Sequence, residues 1–149
     1  MTFIIHSGYG YSKILCEKVS SWYLNEFHLN DELSLHINHR SLKCEGATGF
    51  CYSISPYEYE IELDVHLNKT LYIKSLIHEL CHLTQWVCGD LTLHNGELCY
   101  HNQPVGITEL HESDTYSKET ELFPECARFL SVTLNSRLWK NIDYSNKNQ

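Results

Sequence analysis

The sequence contains no apolar run of the roughly 18–20 residues that a membrane-spanning helix needs. It also lacks the basic and then apolar N-terminal segment of a signal peptide, and neither end carries a lipidation motif. Positive charge is scarce, because 11 lysines and arginines stand against 19 aspartates and glutamates, a formal net charge of −8. That balance excludes a generally basic surface for binding phosphates. We therefore predict a cytoplasmic protein with no membrane partner and no strong signal for a nucleic-acid partner.

Cysteine is abundant, since the chain has seven, but no two of them form a CxxC pair. This spacing argues against a thiolate zinc ribbon and against a thioredoxin-type redox site. The number is odd, and residues such as Cys16 and Cys51 lie in apolar stretches. Free cysteine in such surroundings behaves as a small hydrophobic residue. We expect most of the cysteines to be reduced core residues, as in a reducing compartment.

The hydrophobic pattern switches between helical and strand periodicity, and no repeat or low-complexity linker interrupts it. These elements predict an α+β domain, in which a small, mostly antiparallel sheet packs on a central helix with one helix before it and one after. The domain is expected to span residues 1–140, and the polar tail 141–149 is expected to be flexible. The predicted elements are, in order, a helix over 12–27, strands over 33–39, 46–53 and 57–67, a helix over 69–88, a hairpin turning at Asn95-Gly96, a loop over 101–118 and a helix over 120–139.

The strand over 57–67 has the clearest alternation. Its odd positions from Tyr57 to Val65 are apolar, and its even positions from Glu58 to His66 are polar. One buried and one solvated face is typical of an antiparallel or edge strand. The acidic row is interpreted as a solvated face, and the alternative is a surface that attracts basic partners. At a sheet edge, an extended peptide can add beside this strand through main-chain hydrogen bonds.

The predicted central helix contains the segment 78–82, with the sequence HELCH. His78 and His82 are four residues apart, so both imidazoles lie on one face of the helix and can bind one cation. Neutral imidazole is a good zinc ligand. Glu79 points about 100° away around the helix, where it can accept a proton from a water held by the metal. The pattern predicts a catalytic zinc site, and the alternative is a pair of core histidines with a surface glutamate.

A catalytic zinc usually has three protein ligands, so a third must come from farther along the chain. Glu121 and Glu125 are four residues apart on the predicted last helix, so one of them can bind metal while the other orients a histidine. His94, beside the predicted hairpin turn, is the rival, and His111 is a weaker candidate. The residues alone leave these alternatives open.

Two segments resemble known families. The segment 76–86, LIHELCHLTQW, resembles the start of the SprT-like metalloprotease domain, in which an HELCH-type helix carries a tryptophan shortly after the second histidine, here Trp86. The segment 121–127, ELFPECA, resembles the gluzincin helix of the anthrax lethal factor family, which a glutamate opens and a tyrosine precedes. The second resemblance implies that Glu121 is the third ligand and that Tyr116 stabilises the oxyanion of the transition state.

Together the resemblances imply a minimal zincin-like metallopeptidase domain over residues 1–140, with Zn²⁺ as its cofactor and a protein or peptide as its substrate. Small HExxH proteins of this layout also occur among phage-encoded predicted metallopeptidases, which would place this one in a host cytoplasm. The expected function is hydrolysis of peptide bonds. The alternatives are an inactive zinc-binding structural or interaction protein and a SprT-like protease acting on DNA-associated proteins, which the negative net charge weakens.

Overall fold

The computed structural model describes residues 2–5, 11–29 and 32–134, and it has the predicted α+β class. The predicted tail 141–149 and the end of the predicted last helix lie outside the described residues. Within the described ranges, no helix has both the length and the apolar character needed to cross a membrane. The elements are, in chain order, β1 (Thr2–Ile5), α1 (Tyr11–Phe27), β2 (Ser34–Arg40), β3 (Gly49–Ser55), β4 (Glu58–Asp64), α2 (Lys69–Val87), β5 (Leu91–His94), β6 (Glu97–Tyr100), β7 (Gln103–Pro104), α3 (Val105–Thr108) and α4 (Leu110–Thr133).

The strands form a four-stranded sheet in the order β1-β2-β4-β3 and a three-stranded sheet in the order β5-β6-β7. The β3–β4 pairing and both pairings of the smaller sheet are antiparallel, so antiparallel pairings predominate as predicted. The pairings of β2 with β1 and with β4 are parallel, which the sequence pattern did not reveal. The β1–β2 pairing is parallel because α1 returns the chain over the sheet between the two strands.

The strand over 57–67 was predicted to be an antiparallel or an edge strand, and β4 does pair antiparallel with β3. The edge alternative, on which addition of a peptide depends, is wrong, because β4 lies between β2 and β3. Its alternation is confirmed, since Tyr59, Ile61 and Leu63 are buried and the acidic residues between them are half-buried on the other face. Both sides of the β4 backbone are used in the sheet, so no peptide can add beside it. At this side of the sheet the edge strand is β3.

The central helix α2 lies where the sequence predicts it, and the residues predicted to begin and end it do so. The side chain of Asn68 accepts a hydrogen bond from the Leu71 N–H at 2.8 Å, which caps the N-terminus of the helix. Gly89, with φ of 81°, follows the C-terminus. One side of α2 packs on the four-stranded sheet and α1, and another packs on α4. Full burial of a side chain such as Leu76 or Ile77 contributes about 1.5–3 kcal/mol, so the core fixes the rotation of α2.

The last described helix, α4, begins at Leu110 and not near Thr120, so the predicted loop is helical over 110–118. The inward side chains of this first half are polar, and the apolar periodicity that reveals a helix in a sequence is therefore missing. Pro124 lies inside α4 and not in its first turn. Because proline has no N–H, the Thr120 carbonyl lacks its usual intrahelical partner.

Candidate metal centre

Helix α2 presents both histidines of the HELCH segment toward α4. The rings of His78 and His82 lie with their centroids 4.9 Å apart, nearly edge to face. Only 8% of His78 and 7% of His82 is exposed. This arrangement follows from the four-residue spacing, because one helical turn brings the two side chains onto one face.

Glu112, in the first turn of α4, completes a group that can hold a metal ion. Its Oε1 lies 2.5 Å from Nε2 of His82, and its Oε2 lies 3.4 Å from Nε2 of His78. One ligand atom from each of the three residues lies within 4.8 Å of the other two. Two imidazole nitrogens and one carboxylate oxygen form a donor set that suits zinc. The residues present therefore fit the predicted cofactor.

The other ring nitrogen of each histidine is held by a neighbouring side chain. Nδ1 of His78 lies 3.1 Å from Oε1 of Glu119, and Nδ1 of His82 lies 2.8 Å from Oε1 of Gln85. Gln85 in turn donates to the Thr115 hydroxyl at 2.9 Å. Oxygen acceptors at Nδ1 place the proton there and leave Nε2 free to bind a cation. Such partners are typical of metal-binding histidines and are built into α2 and α4.

The charges of the group are strongly coupled. Burial by itself lowers the pKa of His78, but hydrogen bonds with Glu112 and Glu119 outweigh it and raise the pKa to about 9. Hydrogen bonds with His78 and His82 hold the pKa of the Glu112 carboxyl well below its usual range. Glu112 is therefore anionic at neutral pH, as a metal ligand must be.

Glu79 lines the same cavity as this group, and its side chain lies next to Gly49 at the start of β3. It is 5% exposed and forms part of the cavity wall with the two histidines. Burial raises the pKa of Glu79 to about 7, against the opposing effect of His82 and His78. A buried carboxyl with a pKa near neutrality can both accept and return a proton.

His78, His82 and Glu112 are called the metal-binding group below, because together they could hold an ion. They line a cavity of about 620 Å³. Residues of the edge strand β3 and of the first half of α4 line this cavity. Trp86 and Leu91 add apolar side chains to the lining, and the Trp86 indole N–H donates to the Cys51 carbonyl at 3.4 Å. Tyr116 is 58% exposed, and its ring lies 4.5 Å from that of His78. The structure therefore brings the predicted Tyr116 to the site.

The structure does not bring Glu121 to the histidines. Its carboxylate is 65% exposed and lies 3.5 Å from Nζ of Lys118. Glu112 and Glu121 are nine residues apart, which rotates their side chains by about 900°, or half a turn beyond two full turns, so they lie on opposite faces of α4. Glu125 is also exposed, and it lies outside the metal-binding group.

The two histidine candidates also lie outside this group. His94 ends β5 and is exposed. His111 lines the cavity, and its Nε2 lies 3.8 Å from Oε1 of Glu112. It is a neighbour of the metal-binding group and not a member of it.

Glu112 was missed because it falls in the segment predicted to be a loop. A signal was present, since Glu112, Tyr116 and Glu119 recur at helical spacing with polar side chains. A helix face that lines a polar site carries this pattern in place of an apolar one.

Comparison with known proteins assigns no family to the chain. No family model matches it, and no curated protein and no solved structure is significantly similar to it.

Proposed function

We propose that this protein is a zinc-dependent metallopeptidase. One observation carries the proposal: the buried carboxyl of Glu79 lies beside the group of His78, His82 and Glu112, at an open cavity. A structural zinc site needs no proton acceptor and is usually closed by four protein ligands. Burying a carboxyl is costly, so its presence here favours catalysis over a purely structural role.

In this proposal His78, His82 and Glu112 hold the metal, and three protein ligands are the usual number for a catalytic zinc. When bound, zinc supplies Lewis-acid chemistry, which acidifies water and polarises the carbonyl of the scissile bond. Glu119 and Gln85 keep the two imidazoles in the tautomer that binds a cation.

Glu79 is the proposed general base. It accepts a proton from the attacking water and then gives it to the leaving amine, and a pKa near neutrality favours both transfers. Tyr116 is proposed to donate a hydrogen bond from its phenol to the oxyanion of the transition state. Its half-exposed position beside His78 allows a substrate carbonyl to reach it.

The proposed substrate is a protein or peptide that enters in extended form. Strand β3 lines the cavity and ends the sheet on that side. Main-chain groups on the side of β3 that pairs with no described strand can bind an extended chain as an added strand. The proposed peptide therefore adds at β3 and not beside the strand over 57–67, as the sequence pattern had indicated.

The family relationship stays a prediction. The resemblance of the segment 76–86 to SprT-like domains agrees with the proposed roles of His78, Glu79 and His82. The resemblance to the lethal factor family implied two histidines and one glutamate as ligands, and Glu112 supplies that glutamate in place of Glu121. A reducing compartment such as the cytoplasm is proposed because all seven cysteines are free in the structure.

The proposal is tested by peptide hydrolysis in H₂¹⁸O. The full chain, loaded with one equivalent of zinc, is incubated with a proteome-derived peptide library, and new C-termini are found by mass spectrometry. We expect ¹⁸O-labelled termini with the wild-type protein and with Glu121→Gln, the exposed control on α4. Glu79→Gln should bind zinc equally well and produce none. Cleavage that persists in Glu79→Gln, or a wild-type protein that binds no zinc, would refute the proposal.

A further inference from the structure

The first residue of β3 leaves a space that Glu79 occupies. A Cβ atom on Gly49 would lie 3.0 Å from Cγ and 3.2 Å from Oε1 of Glu79. It would also lie 3.0 Å from the backbone oxygen of Glu62 in β4. Contacts of 3.0–3.4 Å are tighter than nine in ten real Cβ contacts, so with any side chain at position 49 a neighbour would have to move by a few tenths of an ångström.

Conformation is not the reason for a glycine here. The φ of Gly49 lies outside the left-handed region, in contrast to Gly46, Gly89 and Gly96. An L-residue can adopt this backbone, and only the lack of space opposes it. The unusual feature of position 49 is therefore its contact with Glu79.

The two neighbours of a side chain at position 49 differ in how easily they can move. The Glu62 oxygen belongs to the backbone of β4, an interior strand, and close by the Asp64 N–H donates to the Thr48 oxygen at 2.9 Å. Glu79 meets the added Cβ with its Cγ and its Oε1, which belong to a side chain that can change rotamer. A methyl group would therefore be held by the sheet and would push Glu79 out of its position.

We propose that Gly49 is a positioning residue, whose missing side chain keeps the Glu79 carboxyl where it can reach the attacking water. This role rests on the proposed function, because it assigns Glu79 the part of general base. A side chain at position 49 would not act through His78, His82 or Glu112 directly, since the three atoms nearest to its Cβ belong to Glu62 and Glu79.

The contact itself is tested by a thermal double-mutant cycle on the metal-free chain. Gly49→Ala should lower the Tm by about 4 °C or more, because overpacking a well-filled site is destabilising. In the Glu79→Ala background, which removes Cγ and the carboxyl, the same change should cost markedly less. The matched control is Gly106→Ala, because a Cβ there meets no atom within 4 Å. An additive cycle would overturn the inference whether or not the protein is a peptidase.

The positioning role is tested by steady-state kinetics with one peptide that the wild-type protein cleaves. Gly49→Ala should lower kcat at least about tenfold, since small misplacements of a reacting group are costly, while KM and the zinc affinity change less than about twofold. Gly106→Ala should match the wild-type protein. If the double-mutant cycle shows coupling between Gly49 and Glu79 but Gly49→Ala leaves kcat unchanged, the two residues form a packing contact only, and the positioning role is overturned. A wild-type protein that cleaves no peptide would refute the proposed function, and the positioning role with it.

Discussion

The choice of carboxylate ligand gives the sharpest prediction, because α4 offers two glutamates on opposite faces. Glu112→Gln removes the only carboxylate of the described metal-binding group, whereas Glu121→Gln removes an exposed charge that pairs with Lys118. A structural zinc with four ligands binds with about 10–16 kcal/mol, which is about 2.5–4 kcal/mol for each ligand. Glu112→Gln should therefore weaken zinc binding roughly 100- to 1,000-fold, toward the lower end because the amide oxygen remains a weak donor. Glu121→Gln should change it less than about twofold.

The assay is competition for zinc with a chromophoric chelator at pH 7.5, with circular dichroism to show that both variants are folded. The comparison is internal, because both substitutions remove one negative charge from the same helix. Equal effects of the two substitutions would mean that only the overall charge matters. A larger effect of Glu121→Gln would show that α4 is rotated about its axis relative to the structure described above.

Three further predictions follow from the surroundings of the group. Glu119→Gln should weaken zinc binding roughly 10- to 100-fold, because Nδ1 of His78 loses its anionic partner; the same competition assay measures this, and an unchanged affinity would contradict it. The raised pKa of His78, about 9, means that zinc must displace a proton from this imidazole. As the pH is raised toward 9, the apparent affinity for zinc should therefore increase about tenfold for each pH unit, and above pH 9 it should stay constant. Calorimetry at pH 7.5 in buffers of different ionisation enthalpy should show release of about one proton per zinc, and no release would contradict the ion pairs. Finally, a thiol reagent should modify the exposed Cys44 and Cys88 quickly and the buried cysteines slowly, with mass spectrometry as the readout; equal rates would contradict the packing.

Local signals in the sequence were sufficient for most helices and turns. The cap at Asn68 and the glycine at position 89 define the ends of α2 within one or two residues. Asn95 and Gly96 both have positive φ, at 52° and 80°, as the predicted hairpin turn requires. Each of these features depends on residues that are close in the chain, so a sequence can specify it without reference to the rest of the fold.

The residues of the candidate site also fall into those that local sequence specifies and those that depend on contacts between distant segments. His78, Glu79 and His82 could be assigned from the sequence, because a single α-helix fixes the angles between residues one and four apart. The third member of the group that could hold an ion was not predictable in this way, since α4 carries several glutamates and its packing against α2 decides which of them meets the histidines. The edge position of β3 and the space that Gly49 leaves for Glu79 likewise depend on strand order, which is set by contacts between distant segments. The sequence thus determined which helix carries the two imidazoles and the Glu79 carboxyl, because one helix fixes their spacing, and the tertiary structure decided which side chains complete and surround them.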